Sequence, residues 1–331
     1  MKKVFFFYLM LVIIFTPMTV FAHVKWFTDV NPERIEIDSI LSPFFFCMAI
    51  LTAICLGLLS LYIPEFEKVA KIRQLQQKAE YFSFPDAYLK YGTALALIIQ
   101  IQAGTLFAPE FFLHNSSSLI LVWAIIGLLV IPNLYSTKLA ALILLGFYIS
   151  FTFHHGIFHM LDYSFYLGII SYYLLIQTKW ERFKFYLLYM LTGFSLCWLA
   201  IEKWVYPSMT LNIIEQFAVP TFGFDPALFT IMAAFIEFGI GYCWIMGILN
   251  RLFSIIFIVI ITLTTLLFGY TEFIGHFLLY IIMILFLVDN PVKYSPMNLN
   301  YFKTKHGQFL FLIFNFFLIL STFFLVYYRF A

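Results

Sequence analysis

Apolar stretches about twenty residues long recur along this chain, and that repetition leaves little freedom of fold. A backbone in hydrocarbon must satisfy its own hydrogen bonds, so it crosses as a helix or a closed barrel, and runs this long without alternation are helical. Segments 41–63, 88–108, 118–135, 139–155, 159–177, 184–205, 226–249, 252–270, 273–288 and 308–328 read as ten spans. Each is close to what roughly 30 Å of hydrocarbon requires. With 63% apolar and 11% charged residues the chain is excluded from the soluble enzymes. The expected fold class is all-α: a polytopic helical membrane protein with about ten transmembrane helices.

The amino terminus reads differently. Lys2 and Lys3, the apolar run from Val4 to Phe15, Pro17 as a breaker, and Val20 and Ala22 at minus three and minus one match a secretory signal over residues 1–22, cleaved before His23. The competing reading is an uncleaved anchor, since Val4 to Phe21 is nearly long enough to span. Both put residue 23 outside. Counting spans from there, the inner side holds Lys68, Lys71, Arg73, Lys78, Lys138, Lys179, Arg182, Lys184, Arg251, Lys293, Lys303 and Lys305, with Lys90 at a boundary. The outer side holds only Lys25, Arg34, Lys203 and Arg329. Thirteen against four is a positive-inside asymmetry that predicts an inner membrane, with the mature N-terminus and the C-terminus in the periplasm.

These basic residues are scattered through short loops, so the partner they indicate is the lipid bilayer and not nucleic acid. The loop from Pro64 to Pro85 alternates in charge and reads as a solvated or interfacial helix. Cys47, Cys55, Cys197 and Cys243 lie inside apolar spans with no paired short spacing, which suits small buried hydrophobes better than a disulfide framework or a zinc ribbon.

Six of the seven histidines fall on the outer side by the same count. His154, His155 and His159 share ten residues with Asp162, and imidazole with carboxylate suits zinc, copper or iron. On one continuous helix His155, His159 and Asp162 would share a face. The topology instead requires a turn near Gly156, which still leaves the four residues close. Interfacial histidines that only cap helix ends are the bland alternative. Glu272 and His276 stand one helical turn apart on the same outer side, as in a metal's supporting shell, a proton relay or a plain ion pair. Gly275 between them would admit a neighbouring helix.

Glu237 lies eleven residues into the seventh span, about 16 Å below its outer end. An ionisable group at that depth is a candidate for function or for a buried pair. Lys203, beside Trp204 and Tyr206, reads as a headgroup anchor, while Glu202 stays open as a ligand. Cleavage after Ala22 would make His23 an amine and imidazole chelator, an arrangement that resembles the histidine brace of some copper proteins. His114 reads as solvated.

Residues 190–288 resemble a four-helix DoxX-type membrane domain. The likeness is carried by Gly193 to Lys203, by Ile236-Glu237-Phe238-Gly239-Ile240-Gly241, by Gly247-Ile248-Leu249-Asn250-Arg251-Leu252 and by Glu272 to His276. The resemblance implies an integral membrane domain, tied in some members to quinone-linked sulfur oxidation or redox protection. Glu237, Arg251, Glu272 and His276 are the positions that match. The first five spans have no counterpart in a minimal member.

The expected organisation is a signal at 1–22, a five-helix region at 23–182, a DoxX-like domain at 183–290 and an inner loop with a final helix at 291–331. The expected function is a periplasm-facing metal or redox site in a membrane oxidoreductase subunit, working with a membrane or periplasmic redox partner. In it His155, His159 and Asp162, with His154, His276 and His23, bind copper or another transition metal. Glu272 supports the ligands, and Glu237 faces a proton or a quinone. Proton-coupled transport of a small solute or metal is the alternative from another class, and a non-catalytic assembly protein is the third.

Overall fold

The computed structural model describes residues 26–28, 30–62, 84–113, 115–288 and 304–331. The signal segment, His23, Lys25, His114, residues 64–83 of the charged loop, Lys293 and Lys303 lie outside the described residues. Each of the ten apolar segments carries a helix: α1 (Pro43–Tyr62), α2 (Phe84–Gln102), α3 (Ser116–Val130), α4 (Leu134–His155), α5 (Ser164–Leu175), α6 (Lys184–Val205), then, after a short helix α7 (Pro207–Gln216), α8 (Pro226–Met246), α9 (Asn250–Phe268), α10 (Tyr270–Val288) and α11 (Lys305–Phe330). Seven of these, α1, α4, α6 and α8 to α11, are long and apolar enough to cross a membrane. The chain is therefore a multi-pass helical membrane protein. α2 is interrupted by Asp86, Lys90, Gln100 and Gln102, and α3 and α5 are shorter than a full crossing.

Local chemistry sets the boundaries. Asp225 caps α8 by accepting from the amides of Ala227 (2.9 Å) and Leu228 (3.3 Å), with Pro226 at the first helical position. Gly247 ends the same helix at φ 69°, where glycine carries no Cβ penalty. Asn133 caps α4, and Gly156 stops it at φ 88°, which puts the turn where the topology needed it.

Two segments depart from expectation. The second span was expected to reach residue 108, but the helix stops at Gln102 and Gly104 turns the chain at φ 72° into a hairpin of β1 (Thr105–Leu106) and β2 (Ala108–Phe112). Gln100 holds this hairpin inside the bundle. Its side-chain oxygen accepts from Phe107 N at 3.1 Å, and its NH2 donates to Tyr166 Oη at 2.7 Å. The fifth span, expected at 159–177, is broken into one turn at Ile157–Met160, a tighter turn at Leu161–Tyr163, and then α5.

α6 is the central element. It crosses α8 so closely that a Cβ built on Gly241 would lie 2.6 Å from the carbonyl oxygen of Gly193 and 2.7 Å from Cys197 Sγ. Small residues there let the two backbones touch, the usual device for joining helices where lipid removes the hydrophobic drive. Cys197 and Cys243 are buried at this crossing, whereas Cys47 and Cys55 are exposed on α1, which corrects half of the expectation that all four are buried.

The helices alternate in direction, so the molecule has two chemically different ends. Lys90, Lys138, Lys179, Arg182, Lys184, Arg251 and Lys305 gather at one, where Lys184 Nζ meets Asp86 (2.8 Å) and Glu181 (2.9 Å). At the other, Arg34 donates to the carbonyl of Ala331 (3.1 Å), Ile35 N bonds to Val205 O (3.2 Å), and residues 26–28 reach α7 and α10.

Candidate functional site

The hairpin's main consequence is chemical, because it lowers Glu110 into the histidine-bearing end of the bundle. His159, buried in the turn after Gly156, places Nε2 2.9 Å from Glu110 Oε1, and the Tyr163 hydroxyl donates to that same oxygen. His155 is exposed at the tip of α4, with its ring 4.5 Å from Phe111 and 6.1 Å from that of His159. The sequence placed His155 and His159 together and the structure does too. His154 is exposed. Asp162 is buried against α6, where its backbone carbonyl accepts from Ser195 Oγ.

Trp26 stands between this group and the pair on α10. Its indole N–H donates to Tyr163 Oη at 3.3 Å, and its ring lies 5.4 Å from the His276 imidazole. His276 Nδ1 in turn sits 3.1 Å from Glu272 Oε1, one helical turn back, as the spacing required. Gly275 opens this level to the Trp26 indole, which occupies the space a Cβ would fill. The expected neighbour there was a helix. His276 is thus separated from His155 and His159 by an aromatic ring, and among the described residues no three His, Cys, Asp or Glu side chains gather closely enough to hold a metal ion.

A cavity of about 310 Å³ opens below, between α6, α8, α9 and α10. Its walls are mainly apolar, with Phe27, Phe165, Leu196, Ile214, Phe229 and Phe257 among them, and four ionisable side chains face it: Lys203, Glu237, Glu272 and His276. Lys203 Nζ meets Glu237 Oε2 at 2.5 Å, which corrects the expectation of a headgroup anchor. Trp204 bonds to Ile231 O across the helix pair, so Lys203 leaves α6 roughly 7 Å nearer the end than Glu237. Its four-carbon stem turns inward to close that gap instead of snorkelling out. Trp244, wholly buried, also borders the cavity, and among the described residues its indole N–H and the hydroxyl of Thr210 have no hydrogen-bond partner.

Phe27 covers one side of the cavity, stacked 4.8 Å from Phe268 and set edge-on 5.8 Å from Phe217. Thr28 Oγ1 ties the same strap to Asn212 on α7 at 2.6 Å. Residues 26–28 therefore touch both the Glu110 group and the cavity.

Sequence reasoning missed Glu110, Tyr163, Trp26 and the inward turn of Lys203. Glu110 had a usable signal: it is an acid two residues past the expected end of a span, on the same side as the histidines. The aromatic pair had none, because 44 phenylalanines and 21 tyrosines make any single ring unremarked. These features define the class, a polytopic helical membrane protein with a mainly apolar cavity among its helices, beside a histidine and carboxylate cluster. No family model, curated protein or solved structure matches the chain.

Proposed function

We propose that this chain is an inner-membrane redox protein that binds a lipid-soluble carrier of the quinone type in the cavity and exchanges protons with it through Glu237 and the Glu272 and His276 pair. One observation carries the reading: ionisable pairs converge on an otherwise apolar cavity within the membrane-spanning helices, an arrangement that is costly unless it handles charge. Cofactor pockets share this form, with mostly apolar walls and a few convergent polar groups. The resemblance of residues 190–288 to DoxX-type domains points the same way, since Glu237, Glu272 and His276 all belong to the cavity.

In this reading the basic end faces the cytoplasm, all ten helices cross, and the histidine end opens to the periplasm. Titration of detergent-purified protein with decylubiquinone, followed by tryptophan quenching, tests it. Saturable binding is expected, weakened at least fivefold by Glu237→Gln and by His276→Ala. Partition no greater than into protein-free micelles would remove the proposal.

A transition metal, copper foremost, is the second reading, favoured by His159 Nε2 standing 2.9 Å from Glu110 Oε1 with the His155 ring 6.1 Å from that of His159. Metal analysis of the purified protein beside the His155→Ala, His159→Ala and His23→Ala variants decides this. The reading expects at least one variant to lose the metal, and background content in all four samples ends it.

A further inference from the structure

We infer that the cavity is loaded sideways from the bilayer, through a slot between the halves of α8 and α9 nearest the histidine end, by a molecule whose body is a hydrocarbon chain. This deepens the function proposed above and rests on its assignment of the cavity to a lipid-soluble molecule, but not on that molecule being a quinone.

Connectivity sets the shape of the slot. α8 and α9 are joined at the basic end by the turn from Gly247 to Leu249, and near it Trp244 packs edge-on against Phe257 at 5.3 Å. At the histidine end they part company: α8 begins after the loop from α7, and α9 turns through Gly269 into α10. Along that stretch each helix presents a stripe at i, i+4 and i+8, Phe229, Ala233 and Glu237 on α8 and Ile260, Thr264 and Phe268 on α9. Both stripes line the cavity, and all six residues are only partly buried, whereas Trp244 and Phe257 are buried. Glu237 and Ile260 each stand roughly 15 Å along their helices from the connecting turn, so the stripes run level with one another. Ala233 then comes opposite Thr264, which puts the two shortest side chains of the six at mid-slot.

The other sides are tied. α6 and α8 touch at Gly193 and Gly241, and the Trp204 indole donates to Ile231 O at 3.4 Å. Between α9 and α10 the Tyr280 hydroxyl donates to Thr262 at 3.1 Å, and Phe27 fills the space between Phe217 and Phe268. The rim of the slot is apolar: Ile236, next to Glu237, and Leu263, next to Thr264, are exposed on helices long and apolar enough to span. A chain already dissolved in the membrane crosses such a rim without giving up apolar contact, whereas a ligand arriving from water would first have to displace Phe27.

Photolabelling of the full chain in phosphatidylcholine liposomes tests this, with a pentadecane bearing a mid-chain diazirine as the probe and mass spectrometry to map the adducts. Leu196 on α6 and Leu279 on α10 are buried and line the cavity, so a chain labels them only from inside it. Both should be labelled, along with the exposed Leu142 on α4. Ala233→Trp, which fills mid-slot, should lower labelling of Leu196 and Leu279 at least fivefold and leave Leu142 unchanged, and Thr264→Phe should do the same from the facing stripe should the first variant not fold. Label on Leu142 but on neither wall residue would overturn the inference. Wall labelling that survives both variants would overturn the route, with a gain in Phe27→Ala then placing the entrance beneath residues 26–28. Wall labelling lost in the blocked variants, without decylubiquinone binding in detergent, would support the slot and sink the redox reading alone. Decylubiquinone binding without wall labelling would do the reverse.

Discussion

Lys203 and Glu237 show how little a residue's type says about its role until its partner is known. A lysine beside Trp204 and Tyr206 at a helix end reads as an anchor, and a glutamate in mid-span reads as an isolated functional group. Their 2.5 Å contact makes each the explanation of the other. Removing one partner leaves a charge facing apolar walls, which for fully buried pairs costs about 3–5 kcal/mol. Each side chain here is about one-fifth exposed, at 17% and 22%, and screening reduces the effect. Glu237→Ala should therefore destabilise by about 2 kcal/mol, and the change to Lys203→Met with Glu237→Leu by distinctly less. Thermal unfolding in detergent checks both, and a paired variant as unstable as Glu237→Ala would contradict the account.

At the scale of elements, the helices were legible and the hairpin was not. Continuous apolar runs, the Asp225-Pro226 start of α8 and the glycines at 156, 247 and 269 all act locally, so sequence exposes them. Residues 105–112 carry no local strand signal that outweighs the apolar run leading into them, and they are held by the side chain of Gln100, which is itself fixed by Tyr166 across 66 residues of chain. The site divides the same way. Glu272 and His276 lie within one helical turn and were found from spacing, whereas Glu110 meets His159 across 49 residues and was not. The crossing of α6 and α8 gives the sharpest elemental prediction. Gly193→Val would push a side chain into the Gly241 backbone and should cost about 1–3 kcal/mol, the usual range for overpacking. Gly127→Ala and Gly146→Ala, where a Cβ meets nothing within 4 Å, should show no such loss. Equal melting temperatures for all three variants would mean that the helix crossing does not hold the bundle.

The whole molecule has two ends with different chemistry. The basic end is tied by Lys184, Asp86 and Glu181, and the other joins histidines, Glu110, Tyr163 and Trp26 to a cavity reaching among the spans. Asymmetry in Lys and Arg made this polarity readable from sequence, because it is a sum over the chain and tolerates errors at single boundaries. The number of crossings was less readable, since α2, α3 and α5 are marginal in length or polarity. Reporter fusions resolve both questions together. If all ten helices cross in the proposed sense, fusions after residues 131, 178 and 249 report the cytoplasm, and fusions after residues 156 and 269 report the periplasm. A cytoplasmic signal from the fusion at 156 would put the histidines on the wrong side of the membrane and contradict the account at its centre.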